Sequence, residues 1–188
     1  MTATPDQRRA RMTALCGWLI LLLAGAALLL PEVAASSGAL VVGELLLLAG
    51  LLEVVAAAGR RKARLPSTLA GVATLIAGGM FLAREETRFL PNLTVITFWL
   101  LLRVGALAIA TLEGKGSAVR RWTGIAALAD LALAAILILG LPLAGIIVAL
   151  FGTTSELIAS FSWVLALSFI ATGAMLLQIA ACEREEAD

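Results

Sequence analysis

Residues 41–61 read VVGELLLLAGLLEVVAAAGRR, an apolar run with two isolated carboxylates that ends in a pair of arginines. A helix needs about 20 mainly apolar residues to cross the roughly 30 Å hydrocarbon core of a bilayer. The run is long enough, and its apolar residues are continuous rather than alternating. It therefore predicts a membrane-spanning helix and not a strand of a membrane barrel.

The composition extends this prediction to the whole chain of 188 residues, of which 61% are hydrophobic and 14% charged. The mean hydropathy is +1.02. Soluble domains are about 45–50% apolar and about 25% charged, so this chain has too little polar surface to face water. The net charge of +1 gives no bias towards nucleic acid. We expect the lipid bilayer to be the main partner of the chain and expect no nucleic-acid partner.

Six segments qualify as spans, at residues of about 13–31, 38–58, 66–83, 92–112, 122–141 and 157–181. The breaks between them carry Gly, Pro and Ser, which stop helices. The sequence thus predicts an all-α, polytopic membrane bundle in one domain, residues 1–188, with short tails at 1–12 and 183–188. The apolar segment 143–156 is too short to cross again. It either extends the fifth helix beyond Pro142 or lies at the membrane surface.

The basic residues predict the orientation, because Lys and Arg in short loops stay preferentially on the cytoplasmic side. Arg84 and Arg88 lie on the opposite side, offset by two neighbouring glutamates. Eleven of the 14 basic residues lie in the two tails and in the second and fourth links: Arg8, Arg9, Arg11, Arg60, Arg61, Lys62, Arg64, Lys115, Arg120, Arg121 and Arg184. Both termini are therefore predicted to be cytoplasmic.

The six segments also pair into three helical hairpins that can be laid over one another, at residues of about 13–60, 65–114 and 120–182. Each hairpin enters from the cytoplasm, turns outside and returns. The three are thus parallel repeats, unlike the inverted repeats that are common among secondary transporters.

Several features of these hairpins are shared with a known family. Trp18 opens the first helix, Pro31 stands at the outer turn, and GELLLLAGLLEVVAAAGRR and FWLLLRVGALAIA form returning helices. Over residues 15–182 the chain resembles the HdeD family of bacterial inner-membrane proteins, which is associated with acid resistance. The resemblance implies an inner-membrane location and a role in envelope stress or acid tolerance, and it brings no catalytic residues. The chain departs from the family pattern at REETRFLPN and in a longer outer link at 143–160.

A few ionisable residues within the spans are candidates for a site, because a charge inside lipid costs roughly 2.5–3.5 kcal/mol on insertion scales. Arg103 and Asp130 each lie roughly 12–14 Å from the cytoplasmic end of their helix, so we expect them to face each other. Glu53 is one turn shallower and can also reach Arg103. The cluster is either an ion pair that orients the helices or a proton-sensitive or ion-sensitive group.

Other residues in the spans have simpler expected roles. Glu44, nearer the outer surface, is expected to pack within the bundle, and Glu156 is expected to lie at a capped helix start after GTTS. Small residues at helical spacing let helices approach closely in lipid, which is the role predicted for Gly43, Gly50, Gly71 and Gly78.

The absence of histidine from the sequence excludes Ser-His and Cys-His nucleophiles and the HExxH zinc site. No enzyme activity, metal or cofactor is expected, and any response to acid has to come from carboxylates. Our leading interpretation is a non-enzymatic stress protein of the HdeD type. Two alternatives remain: an accessory subunit or homo-oligomer packed in a larger membrane complex, and a small ion or solute carrier that uses the Arg103 cluster.

Overall fold

A computed structural model of the chain describes residues 5–33, 38–60, 63–83, 89–114, 117–139 and 156–185. These residues form six α-helices: α1 Pro5–Val33, α2 Gly38–Gly59, α3 Arg64–Leu82, α4 Phe89–Glu113, α5 Ser117–Ile138 and α6 Glu156–Glu185. Each helix is long and apolar enough to cross a bilayer. The predicted all-α membrane bundle is therefore confirmed. The predicted role of segment 143–156 lies outside the described residues, except for Glu156, where α6 begins.

The six helices form a ring in chain order, in which each helix packs against the next and α6 closes onto α1. The most extensive contacts join α2 with α3, α4 with α5, and α6 with α1, whereas α2 and α6 also touch across the ring. Close and looser interfaces therefore alternate around the ring: each predicted hairpin packs loosely within itself and closely against the next hairpin. The equivalence of the three hairpins stays a prediction.

Glycines allow the backbones of α2 and α3 to touch. A Cβ atom on Gly50 would lie 2.7 Å from the backbone nitrogen of Leu75, and one on Gly78 would lie 2.8 Å from that of Leu47. The two helices are antiparallel, so Gly43 lies opposite Gly78 and Gly50 opposite Gly71. Such close approach gains packing contacts in lipid, where hydrophobicity does not drive helices together. This is the role that the spacing of these glycines predicts.

A second glycine contact, which the sequence analysis missed, closes the ring between α1 and α6. A Cβ atom on Gly173 would lie 2.7 Å from Cγ of Leu21, and one on Gly17 would lie 3.1 Å from the carbonyl oxygen of Gly173. The N-terminus of α1 and the C-terminus of α6 therefore lie at the same end of the ring. We call this end, where α1, α3 and α5 begin and α2, α4 and α6 end, the basic end, because the described arginines outside the spans lie there.

The outward and inward faces of the helices are both apolar, as expected for a protein in lipid. Large apolar side chains are exposed on the outside of all six helices, including Leu22, Leu48, Ile76, Phe98, Leu128 and Ile170. The inside of the ring is filled mostly by other apolar side chains, such as Ile20, Leu46, Ile96, Leu165 and Phe169. A polar group at the centre of the ring consequently pairs mainly with other protein groups.

Candidate functional site: a buried polar cluster around Arg103

Arg103 lies at the centre of the ring, with 1% of its surface exposed, and donates to side chains from four other helices. Its Nε donates to Oδ2 of Asp130 on α5 at 3.0 Å, and its Nη2 donates to Oγ1 of Thr172 on α6 at 2.7 Å. Its Nη1 donates to Glu53 on α2 and to Oγ1 of Thr74 on α3, the latter at 3.0 Å. One guanidinium group thus connects five of the six helices.

The structure therefore brings together the three residues that the depth calculation placed near one another. Arg103 and Asp130 meet because α4 and α5 are antiparallel neighbours and each residue lies roughly three to four turns from the end of its helix at the basic end. Glu53 reaches Arg103 from α2 and completes a second ion pair. A guanidinium group has donors in a fixed planar fork, which suits it to several oxygen acceptors at once.

Further side chains complete the hydrogen bonding of the cluster. Oδ1 of Asp130 accepts a hydrogen bond from Ser168 at 2.7 Å. The indole nitrogen of Trp99 donates to Oγ1 of Thr74 at 3.0 Å, and the Trp99 ring centroid lies 5.5 Å from the guanidinium carbon of Arg103, within the range of a cation–π contact. The Thr74 hydroxyl lies 3.0 Å from the carbonyl oxygen of Ala70 and 3.4 Å from Oε2 of Glu53.

Four residues of the cluster were not predicted from the sequence: Thr74, Trp99, Ser168 and Thr172. A signal existed for three of them, because residues four apart in a helix share a face. Trp99 is four residues before Arg103, and Ser168 is four residues before Thr172. The pairing of two hydroxyls at this spacing in an apolar helix indicates a polar face turned towards the bundle. Thr74 stands alone in α3 and carries no comparable signal.

Arg60 is a second buried arginine, which the sequence analysis counted only as part of a basic link. It directly follows α2, is 7% exposed, and its Nη1 donates to Oγ of Ser67 at 2.6 Å. Its Nε has no hydrogen-bond partner among the described residues. Burial lowers the pKa of Arg60 to about 10, and attraction from Glu183 and Glu53 opposes this shift.

A cavity lies between Arg60 and the Arg103 cluster, bounded by α2, α3, α4 and α6. Its volume is about 20 Å³, somewhat more than the roughly 10–15 Å³ that a water molecule requires. The polar lining residues are Glu53, Arg60, Ser67, Arg103 and Thr172, and the apolar ones are Ala70, Leu107, Met175 and Leu176. The cavity places polar groups of the cluster within reach of the basic end.

Glu44 lies on the exposed outside of the ring, so the expectation that it packs within the bundle is wrong. Each residue advances a helix by about 100°, and Gly43 is the residue that faces α3. Glu44 consequently falls on the outward stripe with Leu40, Leu48 and Leu51, which are all exposed. Its carboxylate faces the lipid side of α2.

Glu156 begins α6, which agrees with the predicted helix start, and its side chain lies outside the described residues. Within the described ranges, no three His, Cys, Asp or Glu side chains come together in a way that could hold a metal ion.

The two buried arginines are expected to differ in their contribution to stability. Arg60→Met is expected to change the free energy of unfolding by less than about 1 kcal/mol, because relief of the cost of burying the charge offsets the lost hydrogen bond to Ser67. The lowered pKa also indicates that the charge of Arg60 does not stabilise the fold, because charged Arg60 costs the folded state free energy at every pH below about 10. Unfolding in mixed detergent micelles measures the change. A loss of several kcal/mol would show that Arg60, like Arg103, stabilises the packing of the helices.

The fold and the site together define a polytopic helical membrane protein with a buried, hydrogen-bonded ion cluster at its centre. Compared with known proteins, the chain matches no family model, no curated protein and no solved structure.

Proposed function

We propose that the chain is a non-enzymatic protein of a bacterial inner membrane, with both termini in the cytoplasm, which serves in envelope stress or acid tolerance as the HdeD family does. The resemblance over residues 15–182 supports the role. The positive-inside rule supports the orientation, because the arginines of the tails and links gather at the basic end.

The observation that carries the non-enzymatic, non-transporting part of this proposal is the set of hydrogen bonds that Arg103 donates within the chain. Its Nε, Nη1 and Nη2 all donate to groups of the chain itself. A ligand that took the place of any of these partners would leave a buried polar group unpaired, which is costly. The cluster is therefore better suited to holding the helices together than to binding and releasing a substrate.

The surroundings of the cluster favour the same interpretation over the carrier alternative. A carrier has to open its site to each side of the membrane in turn. On the side away from the basic end, the centre of the ring is filled by apolar side chains, including Leu46, Ile96, Leu100, Leu165 and Phe169. Among the described residues, the cavity that adjoins the cluster lies on the side of the basic end.

Acid survival of the bacterium tests the proposal. We expect deletion of the gene to lower survival in strong acid while growth at neutral pH stays unchanged. The wild-type chain should restore survival, and so should Glu44→Gln, which changes a carboxylate of α2 outside the cluster. Arg103→Met should not restore survival, because the bundle loses the hydrogen bonds and ion pairs that connect its helices at the centre. Equal acid survival of the deletion strain and its parent would contradict the proposal.

Glu44 favours a second candidate function, that of an accessory subunit in a larger membrane complex. A carboxylate on the lipid side of a spanning helix is costly unless it is paired or protonated, and a cationic group of a neighbouring protein would pair with it. Purification in mild detergent tests this candidate: a partner present in stoichiometric amount should be lost in Glu44→Leu. A lone monomer would contradict it, and a complex of identical chains would indicate a homo-oligomer instead.

A further inference from the structure

We propose that the cavity beside Arg103 is a water-binding site that opens towards the basic end alone, so that Glu53 contacts solvent while the rest of the ring interior stays dry. The proposal concerns the hydration of the ring. It stands whether or not the protein serves in acid tolerance.

The hydrogen-bonding groups of the cavity fit a water molecule. Buried water typically makes two to four hydrogen bonds to polar groups that otherwise lack partners. Nε of Arg60 is a buried donor without a partner among the described residues, and its residue lines the cavity. Glu53, Ser67 and Thr172 also line the cavity and contribute oxygen atoms that accept hydrogen bonds. A water molecule can accept from Arg60 and donate to Glu53.

The charges around the cavity favour water over an ion. The Arg103 cluster contains one cation and two carboxylates, Glu53 and Asp130, all nearly fully buried. An anion in the cavity would meet the Glu53 carboxylate, and a metal cation would meet the guanidinium groups of Arg60 and Arg103. Water is neutral and both donates and accepts hydrogen bonds, so it satisfies both kinds of lining group without a charge penalty.

Access from the basic end follows from the positions of the lining residues. Arg60 directly follows the last residue of α2, and Ser67 is in the first turn of α3. Glu183, which attracts Arg60 electrostatically, lies in the last turn of α6. In the other direction, Trp99 and the apolar side chains beyond it separate the cluster from the opposite end of the ring.

Two alanines of α3 form a matched pair for the test. Ala70 and Ala77 are each 3% exposed and lie seven residues apart, so they share one helix face. Ala70 lines the cavity, whereas Ala77 lies two turns further from the basic end. In a chain carrying Cys16→Ala and Cys182→Ser, the variants Ala70→Cys and Ala77→Cys each place a single thiol at a site of known depth.

The probe is heavy water itself, added to the protein in lipid vesicles, and infrared spectroscopy follows the exchange of the thiol S–H band to S–D. We expect the thiol of Ala70→Cys to exchange at least about tenfold faster than that of Ala77→Cys, because exchange requires contact with water or local opening. Met175→Cys, whose residue lines the cavity from α6, is a second reporter and should exchange like Ala70→Cys.

Equal exchange rates at residues 70 and 77 would overturn the proposal, as would slow exchange at both 70 and 175. Silver ions added to one side of the vesicles test the direction of access. They should reach the thiol of Ala70→Cys first from the side that carries the basic end, and faster reaction from the other side would also overturn the proposal.

Discussion

Replacement of Arg103 by methionine is expected to lower the free energy of unfolding by about 3–5 kcal/mol, the range observed when one partner of a buried ion pair is removed. The loss arises because the substitution leaves buried polar groups without their partner. Glu53 and Asp130 would remain as two buried carboxylates without their cation. Thr172 would lose the guanidinium donor as well. Unfolding in mixed detergent micelles measures the loss.

Two further variants distinguish this explanation from a general effect of mutation. Leu102→Met changes the neighbouring residue, which is exposed on the lipid side, and should leave stability nearly unchanged. The triple variant Arg103→Met, Glu53→Gln and Asp130→Asn removes all three charges, and it should recover a large part of the loss. A triple variant as unstable as Arg103→Met alone would show that the charges are not the source of the effect.

Replacement of Gly78 by leucine is expected to cost about 2–3 kcal/mol, the upper part of the usual range for overpacking. A Cβ atom at this residue would lie 2.8 Å from the backbone nitrogen of Leu47 and 2.9 Å from the carbonyl oxygen of Gly43. Backbone atoms cannot move aside as a flexible side chain can, so α2 and α3 would have to separate. The same unfolding measurement in micelles reports the cost.

The next residue provides the control, because a Cβ atom on Gly79 would meet nothing within 4 Å. Gly79→Leu adds the same side chain to the same helix on the exposed side and should be neutral or slightly stabilising, since leucine favours helix more than glycine does. Similar losses at residues 78 and 79 would contradict the close backbone packing of α2 and α3.

The number and the approximate limits of the helices could be predicted from the sequence because the bilayer imposes a length on every span. Close helix packing at the glycine faces could also be predicted, since Gly43 and Gly50 repeat at a spacing that places them on one face; the structure shows that this face of α2 packs against α3. Gly17 and Gly173 were missed for a physical reason: each is the only glycine that its own helix contributes to the interface between α1 and α6, and they lie near opposite ends of the chain. Closure of the ring is a long-range contact that local patterns do not encode.

The ionic core of the site was predictable because charges in lipid are few and their depths can be counted from the helix ends. Arg103 and Asp130 had matching depths, and one short link joined their helices. Arg60 was missed because a basic residue in a link normally faces solvent, and only the packing of α3 and α6 around it buries the side chain. Glu44 was misplaced because depth alone says nothing about which side of a helix faces lipid.

The coupling between Arg103 and Asp130 tests the central claim most directly. A double-mutant cycle with Arg103→Met, Asp130→Asn and the double variant, measured by unfolding in lipid-containing micelles, isolates the interaction between the two side chains. We predict a favourable interaction free energy of about 1–3 kcal/mol, with the double variant clearly less destabilised than the sum of the single changes. Strict additivity would mean that the two residues do not interact, and it would contradict an ion cluster at the centre of the ring.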